Sequence, residues 1–294
     1  MKLPEGLTQD RKERSGRLVQ NEVSIRAELH PGIPRIDFTV ELDNHAKDHR
    51  LQVQLPSGIR TEESQAYHTF AVVSRSVEEE IPKTWLEYPQ TTHPHHGFVS
   101  LEDGNGGLCA GAEGLPEFEA VQGEEDTCLR FTLLRCVGWL SRTDLLTRKG
   151  NGGWTIETPE AQCQGRYRFR FCASYYSGTW RETEGFGFTE KFLHPAWTAP
   201  GAVSENPLEF LKALPKDIRL SALKEAEDGR GILLRLYSVA KEERRVELAL
   251  PEGVAQAEET NLAEEFCRGL PVEEGRISFR MKPSQIKTIR LLRQ

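Results

Sequence analysis

What this sequence lacks narrows it quickly. No apolar run approaches the roughly 18 residues that a membrane-spanning helix needs, and Met1 to Leu7 has neither the basic start nor the apolar stretch of a signal peptide. A cytoplasmic protein is the default expectation. The six cysteines, Cys109, Cys128, Cys136, Cys163, Cys172 and Cys267, form no CxxC pair, and several fall at apolar strand positions. They read as buried free thiols rather than as a disulfide framework or metal ligands. Basic residues number 38 against 45 acidic ones, for a formal net charge of -7. That balance offers no general attraction to nucleic acid or to anionic membranes. Serine-nucleophile motifs, phosphate-binding glycine loops and GxGxxG are absent, as are internal repeats. Helical periodicity is nearly missing too: the one candidate is Pro207 to Leu214, with Glu205-Asn206 placed to cap it.

What is present is strand. Val23, Ile25, Ala27 and Leu29 alternate with polar residues up to the turn His30-Pro31-Gly32. Ile36, Phe38, Val40 and Leu42 then alternate with Asp37, Thr39 and Glu41, and Leu51, Val53 and Leu55 repeat the pattern before Pro56-Ser57-Gly58. Short strands are expected at Phe70 to Val73, Phe98 to Leu101 and Leu108 to Gly111, the last two joined by a hairpin turn through Glu102 to Gly107. Prolines 195, 200, 207 and 215, with Gly201, punctuate a boundary, after which the strand pattern restarts at Ile232, Val246, Ile277 and Ile289. The first unit is a large antiparallel β unit and the second a small sandwich. A chain of this length is also more readily two domains than one.

The longest interruption runs from Leu133 to Gly165. Leu129, Phe131 and Leu133 lead into it and Tyr167, Phe169 and Phe171 lead out, each set alternating with polar residues. Connections this long inside a compact domain are usually binding loops or ordered arms, the alternative being a solvated hairpin tip. Arg142, Asp144, Arg148 and Glu157 supply its charge, while Gly150, Gly152 and Gly153 allow backbone to approach a ligand. Arg142 with Asp144 reads as a local ion pair. Elsewhere, Glu117 and Glu119 read as a solvated face beside a buried Phe118. His93, His95 and His96 crowd one loop without further ligands at zinc spacing, so no metal site is expected. Asp43-Asn44-His45 and Asp48-His49-Arg50 read as turns whose side chains satisfy backbone groups.

Several motifs in order resemble a known family. They are Asp48-His49-Arg50-Leu51, Pro94 to Val99, Gly114 to Glu119, Leu133 to Gly138, Asp144 to Arg148, Thr158 to Gly165, Leu236-Tyr237-Ser238 and Thr260 to Glu264. Together they look like the C-terminal half of family 38 glycoside hydrolases, retaining α-mannosidases, nearest to the bacterial branch that includes mannosylglycerate hydrolases. The resemblance implies an all-β fold, a large antiparallel super-sandwich similar to galactose mutarotase followed by a smaller β-sandwich. It divides the chain into a polar leader or linker remnant at 1–18, frayed at its start, the super-sandwich at 19–205 and the small sandwich at 206–294. It also implies that the zinc and the carboxylate pair belong to an N-terminal catalytic domain missing from this chain, which alone should be inactive. The expected partners are that domain and a mannoside-type substrate, with homo-oligomer formation left open. In the family a super-sandwich loop offers an arginine near the sugar pocket, which points to Arg148, with Gly150 and Gly152, as substrate-binding. Its head is expected to be unpaired within the chain, and the domain-facing surface to be apolar. Two other classes stay in view. One is a stand-alone carbohydrate-binding protein using Trp85, Trp139, Trp154 or Trp180 as a platform. The other is an aldose epimerase with His95 or His96 and Glu117 as acid and base.

Overall fold

The computed structural model describes residues 1–78, 84–181, 185–196, 198, 200–201 and 214–293. Two units divide it, one of Met1–His68 with Val73–Ala196, the other of Thr69–Val72 with 197–294. The predicted helix at Pro207 to Leu214 lies outside the described residues except for Leu214. No described helix is long and apolar enough to cross a membrane.

The first unit carries strands β1 (Lys2–Pro4), β2 (Leu18–Gln20), β3 (Glu22–His30), β4 (Ile33–Asn44), β5 (Arg50–Pro56), β6 (Glu63–His68), β7 (Ala71–Ser76), β8 (Thr92–Pro94), β9 (Phe98–Glu102), β10 (Gly106–Ala112), β11 (Glu117–Gln122), β12 (Thr127–Arg135) and β13 (Gly165–Ser177), then helix α1 (Gly185–Leu193). A seven-stranded sheet in the order β3-β4-β13-β10-β9-β6-β7 packs against a four-stranded sheet, β5-β12-β11-β8. Alternation dictates which faces meet. From β4 and β13, Val40 faces Phe169 and Phe38 faces Phe171 across the ladder, and these side chains join Leu129, Phe131 and Phe118 of the opposite sheet in one core. The opposite face pairs charges instead, Asp43 with Arg166 and Glu41 with Arg168. The expected β9–β10 hairpin is present, with Asp103 Oδ1 accepting the amides of Asn105 (2.8 Å) and Gly106 (3.1 Å).

Two sequence expectations fail in this unit. The leader is not frayed: β1 pairs with β2, and Met1 and Asn21 exchange hydrogen bonds that close the segment. The observed helix is α1, in a stretch that reads as loop because two glycines weaken its propensity. It forms because Phe186, Thr189 and Phe192, each three residues from the next, bury one side of it, Phe186 lying 4.5 Å from the Phe98 ring. Gly111 makes the seat, since a Cβ there would stand 2.3 Å from Thr189 Cγ2.

The second unit holds β14 (Ile218–Glu225), β15 (Ile232–Ser238), β16 (Arg244–Ala249), β17 (Val254–Thr260), β18 (Phe266–Leu270), β19 (Arg276–Met281) and β20 (Ile286–Arg293). A five-stranded sheet, β14-β15-β20-β17-β18, and the pair β16-β19 enclose Leu234, Leu236, Val246, Leu248, Ile277, Phe279, Ile289 and Leu291. Its central strand also buries two cations. Lys287 Nζ meets Glu259 at 2.6 Å, and Arg290 meets Asp228 at 3.2 Å while donating to the Glu264 carbonyl at 2.8 Å.

All six cysteines are free, but Cys267 is exposed and Cys163 half-buried, which corrects the expectation that every thiol is inside. Burial pushes Cys136 up to about 11 and Cys172 up to about 12, and raises Cys109 and Cys128 as well. Thiolate is the reacting form, so these four should resist attack in the folded chain. With an aromatic disulfide reagent near pH 8, Cys267 should react at once, Cys163 more slowly, and the other four only after denaturation. Rapid native labelling of four or more thiols would contradict this packing.

Candidate functional site

The long connection leaves β12 in the four-stranded sheet and enters β13 in the seven-stranded one, so it is a crossover between sheets and not a hairpin tip. Its neck is built from turn residues. Asp48 and Gln162 grip each other, the Asp48 amide donating to Gln162 Oε1 (2.8 Å) and Gln162 Nε2 donating to Asp48 Oδ1 (2.7 Å). Asn44 Nδ2 donates to the Cys163 carbonyl at 2.7 Å, and Gly138 leaves room for Gln162, whose Nε2 a Cβ would approach to 2.9 Å. Val137 N to Ala161 O (3.0 Å), Thr158 N to Gly138 O (2.9 Å) and Leu140 N to Ile156 O (2.9 Å) zip the two sides of the arm together. Asn44 and Asp48 satisfy backbone groups as expected, but Asp43 and Asn44 end β4 and Arg50 opens β5, so the turn itself is confined to the residues between them.

Beyond the neck the arm is pinned by a distant strip. Tyr88 N donates to Thr147 O at 2.8 Å and Lys149 N to Leu86 O at 3.3 Å, on either side of a bridge between Glu87 and Arg148. Arg148 is therefore not unpaired: its Nη1 donates to Glu87 Oε2. Sequence could not reveal a partner 61 residues away. Nor are the glycines loosening an unpinned loop. Gly150 turns with φ of 81°, and Gly152 lies flat under the Arg148 side chain, where a Cβ would come within 2.9 Å of Nε. The Arg142–Asp144 pair is present, Arg142 Nε meeting Asp144 Oδ1 at 2.7 Å, and Arg11 adds a second cation at 3.3 Å. The hydrogen bond from Arg142 holds the Asp144 carboxyl below the usual carboxylate range. Around these charges the strips expose Leu86, Leu140, Leu146, Ile156, Trp85 (55%) and Trp154 (78%). Of the other tryptophans considered, Trp180 is core and Trp139 is half-buried beneath Arg11.

The carboxylates of β11 differ from their expected solvated face. Glu119 is 5% exposed, receiving Arg50 Nη2 and Gln52 Nε2, each at 3.2 Å, as well as Thr91 Oγ1. Burial alone would raise its pKa. The hydrogen bonds from Thr91 and Gln52, with the charges of Arg50 and Arg130, outweigh that and hold it below the usual value. Glu117 accepts from Thr132 Oγ1 at 2.6 Å. Both carboxylates are tied into the sheet.

His95 is 2% exposed, its Nδ1 3.1 Å from the Gly97 carbonyl and its ring against Phe118 and Phe131. Burial lowers its pKa to about 4, leaving a neutral core imidazole. As an acid or base facing an open cavity with Glu117, it does not serve. Among the described residues no three His, Cys, Asp or Glu side chains converge as metal ligands. A shallow cavity of about 340 Å³ does open on the charged face of the seven-stranded sheet, at Glu28, His30, Asp37, Glu113, Arg168 and Arg170. Its charges are largely matched internally, Arg170 to Glu113 at 2.8 Å and Arg35 to Asp37 at 2.9 Å.

Comparison with known proteins places this geometry in context. Residues 217–289 match the model of the glycosyl hydrolases family 38 C-terminal beta sandwich domain. A Halalkalibacterium halodurans protein carrying the name "Putative mannosylglycerate hydrolase" is 26% identical over 278 residues, 92% of this chain and 29% of that protein. Among solved structures, a family 38 protein of Enterococcus faecalis matches with a TM-score of 0.74 at 24% identity, covering 99% of this chain and 34% of that one. An alpha-mannosidase from Enterococcus faecalis V583 matches with a TM-score of 0.71 at 26% identity, covering 95% of this chain and 30% of that one. The chain is therefore similar along its length to the C-terminal region of family 38 proteins, and spans about a third of the relatives it matches.

The Glu119 network has a measurable signature. Because its folded pKa is depressed, its contribution to stability is fully present above its unfolded value of about 4.5 and fades as pH falls through the folded pKa. Glu119→Gln should cost about 1 to 3 kcal/mol near pH 7, read by urea unfolding, and the gap to wild type should narrow as pH falls below 4.5 and through the folded pKa. A pH-independent difference would assign the loss to packing alone.

Proposed function

We propose that this chain is the non-catalytic β portion of an α-mannosidase-like retaining glycoside hydrolase, and that its arm lends Arg148 to the sugar pocket of a separate catalytic domain. The observation that carries this reading is the match of nearly the whole chain to about a third of mannosidase-like relatives. Retaining hydrolysis needs two carboxyl groups about 5 to 5.5 Å apart. In this reading those carboxylates, and the zinc, lie outside the chain. What the chain supplies is position. Glu87 and Gly152 hold the Arg148 guanidinium at the surface of the arm, where its planar donors can give paired hydrogen bonds to sugar hydroxyls or to a substrate carboxylate. The exposed apolar residues beside it suit docking on the catalytic domain.

A second reading, a stand-alone carbohydrate binder, draws on the exposed rings of Trp85 and Trp154, which could stack on sugar C–H faces. Calorimetric titration of the chain with α-mannosides, and its loss in Trp154→Ala, would favour it.

Alone and supplied with zinc, the chain should not turn over aryl α-mannosides. In the assembled enzyme, Arg148→Ala should lower kcat/KM roughly tenfold to a hundredfold, the loss of one charge-assisted contact. Gly152→Ala should reproduce part of that loss by displacing the guanidinium. The Tm of the chain should fall little, because exposed ion pairs contribute about 0 to 1 kcal/mol. Unchanged kcat/KM with a clear drop in Tm would make Arg148 a structural residue and overturn its assignment.

A further inference from the structure

Strand β3 is an uncovered edge. It ends the seven-stranded sheet, and all nine of its residues are exposed. Val23, Ile25, Ala27 and Leu29 lie opposite Leu42, Val40, Phe38 and Ile36 of β4, so they continue the core-facing side of the sheet past the point where the four-stranded sheet covers it. Ile25 is 65% and Leu29 73% exposed. Edge strands are ordinarily blunted by lysine, proline or a mid-strand bulge. Glu22 to Leu29 has no lysine, proline or internal bulge, its single register shift falling at the Leu29/His30 turn, and its charged residues, Glu22, Arg26 and Glu28, are of both signs.

The charges on the other face say what would fit. Arg26 and Glu28 have no ion-pair partner among the described residues. In an antiparallel pairing of β3 with another β3 about a two-fold axis at Ala27, Arg26 faces the partner's Glu28 and Glu28 faces the partner's Arg26. The same register sets Ile25 against the partner's Leu29, twice, and Ser24 against the partner's His30. Shifting the axis to Arg26 would oppose arginine to arginine, and shifting it to Ile25 would oppose Glu28 to the partner's Glu22. An axis at Ser24 would also set Arg26 against Glu22 and Ile25 against Val23, but it leaves Leu29, the most exposed apolar residue of the strand, without a partner; the Ala27-centred register matches charge and covers both Ile25 and Leu29.

We propose that β3 pairs with β3 of a second copy of this chain in the Ala27-centred register, joining two seven-stranded sheets into one continuous sheet across an isologous dimer interface. Apolar residues meet on one face and two Arg–Glu pairs close the other. The proposal is independent of any catalytic reading.

Charge reversal tests both partner and register. Sedimentation velocity of the 294-residue chain should show a concentration-dependent dimer. Arg26→Glu or Glu28→Arg alone should weaken it on the order of tenfold, since each creates two like-charge pairs. The double variant Arg26→Glu/Glu28→Arg should restore wild-type affinity, and Ile25→Lys should abolish dimerisation. Circular dichroism and Tm check that each exposed variant stays folded, with Glu28→Gln as a milder substitute. A chain monomeric at high concentration overturns the proposal and leaves β3 to some other occupant. A dimer indifferent to single reversals, or unrescued by the double one, overturns it equally.

Discussion

The first unit depends on one aromatic layer held between two sheets that twist past each other. Phe38 stacks on Phe171 at 5.0 Å, while Phe118 and Phe131 flank the His95 ring from the opposite sheet. Each such side chain contributes roughly 1.5 to 3 kcal/mol on burial, a sizeable share of the net stability of about 5 to 15 kcal/mol that a folded domain retains. The layer also fixes the relative position of the ends of β12 and β13. With those ends fixed, the turn residues Asn44, Asp48 and Gln162 can meet, and the arm has a rigid base.

Much of this was legible in the sequence because strand faces alternate with period two. Val40 and Leu42 against Phe169 and Tyr167 announce their side of the sheet in their spacing, as does the turn through Asp103 and Gly104. The small sandwich was legible for the same reason at Leu234, Leu236, Val246 and Leu248. What escaped were contacts that depend on distant chain. Glu119 reads as surface until Arg50 and Gln52 of β5, and Thr91 just before β8, arrive to satisfy it. Lys287 and Arg290 sit at buried positions for a similar reason, their charges answered by Glu259 and Asp228. Helix α1 escaped because tertiary burial of Phe186 and Phe192 overrides a local sequence containing two glycines.

The candidate site divides the same way. The arm, its charges and the pair of Arg142 with Asp144 follow from residue types and local spacing. The seating of Arg148 between Glu87 and Gly152 does not, since it requires residues 84–90 to fold alongside the arm. An arginine whose direction is fixed by a carboxylate and a flat backbone loses less conformational freedom on meeting a ligand than a free one does. The pairing that contradicted an unengaged head therefore describes one whose direction is fixed.

The crossover nature of the arm has a consequence for how this chain can change over evolutionary time. Its two ends are anchored by separate ladders, one in each sheet, and by the side-chain clasp at the neck. Neither sheet owes its register to the residues in between. Closing a longer loop costs only about 0.6 kcal/mol for each doubling of its length. The stretch from Trp139 to Glu157 can thus change in length on either side of the Arg148 seat without disturbing the register of either sheet.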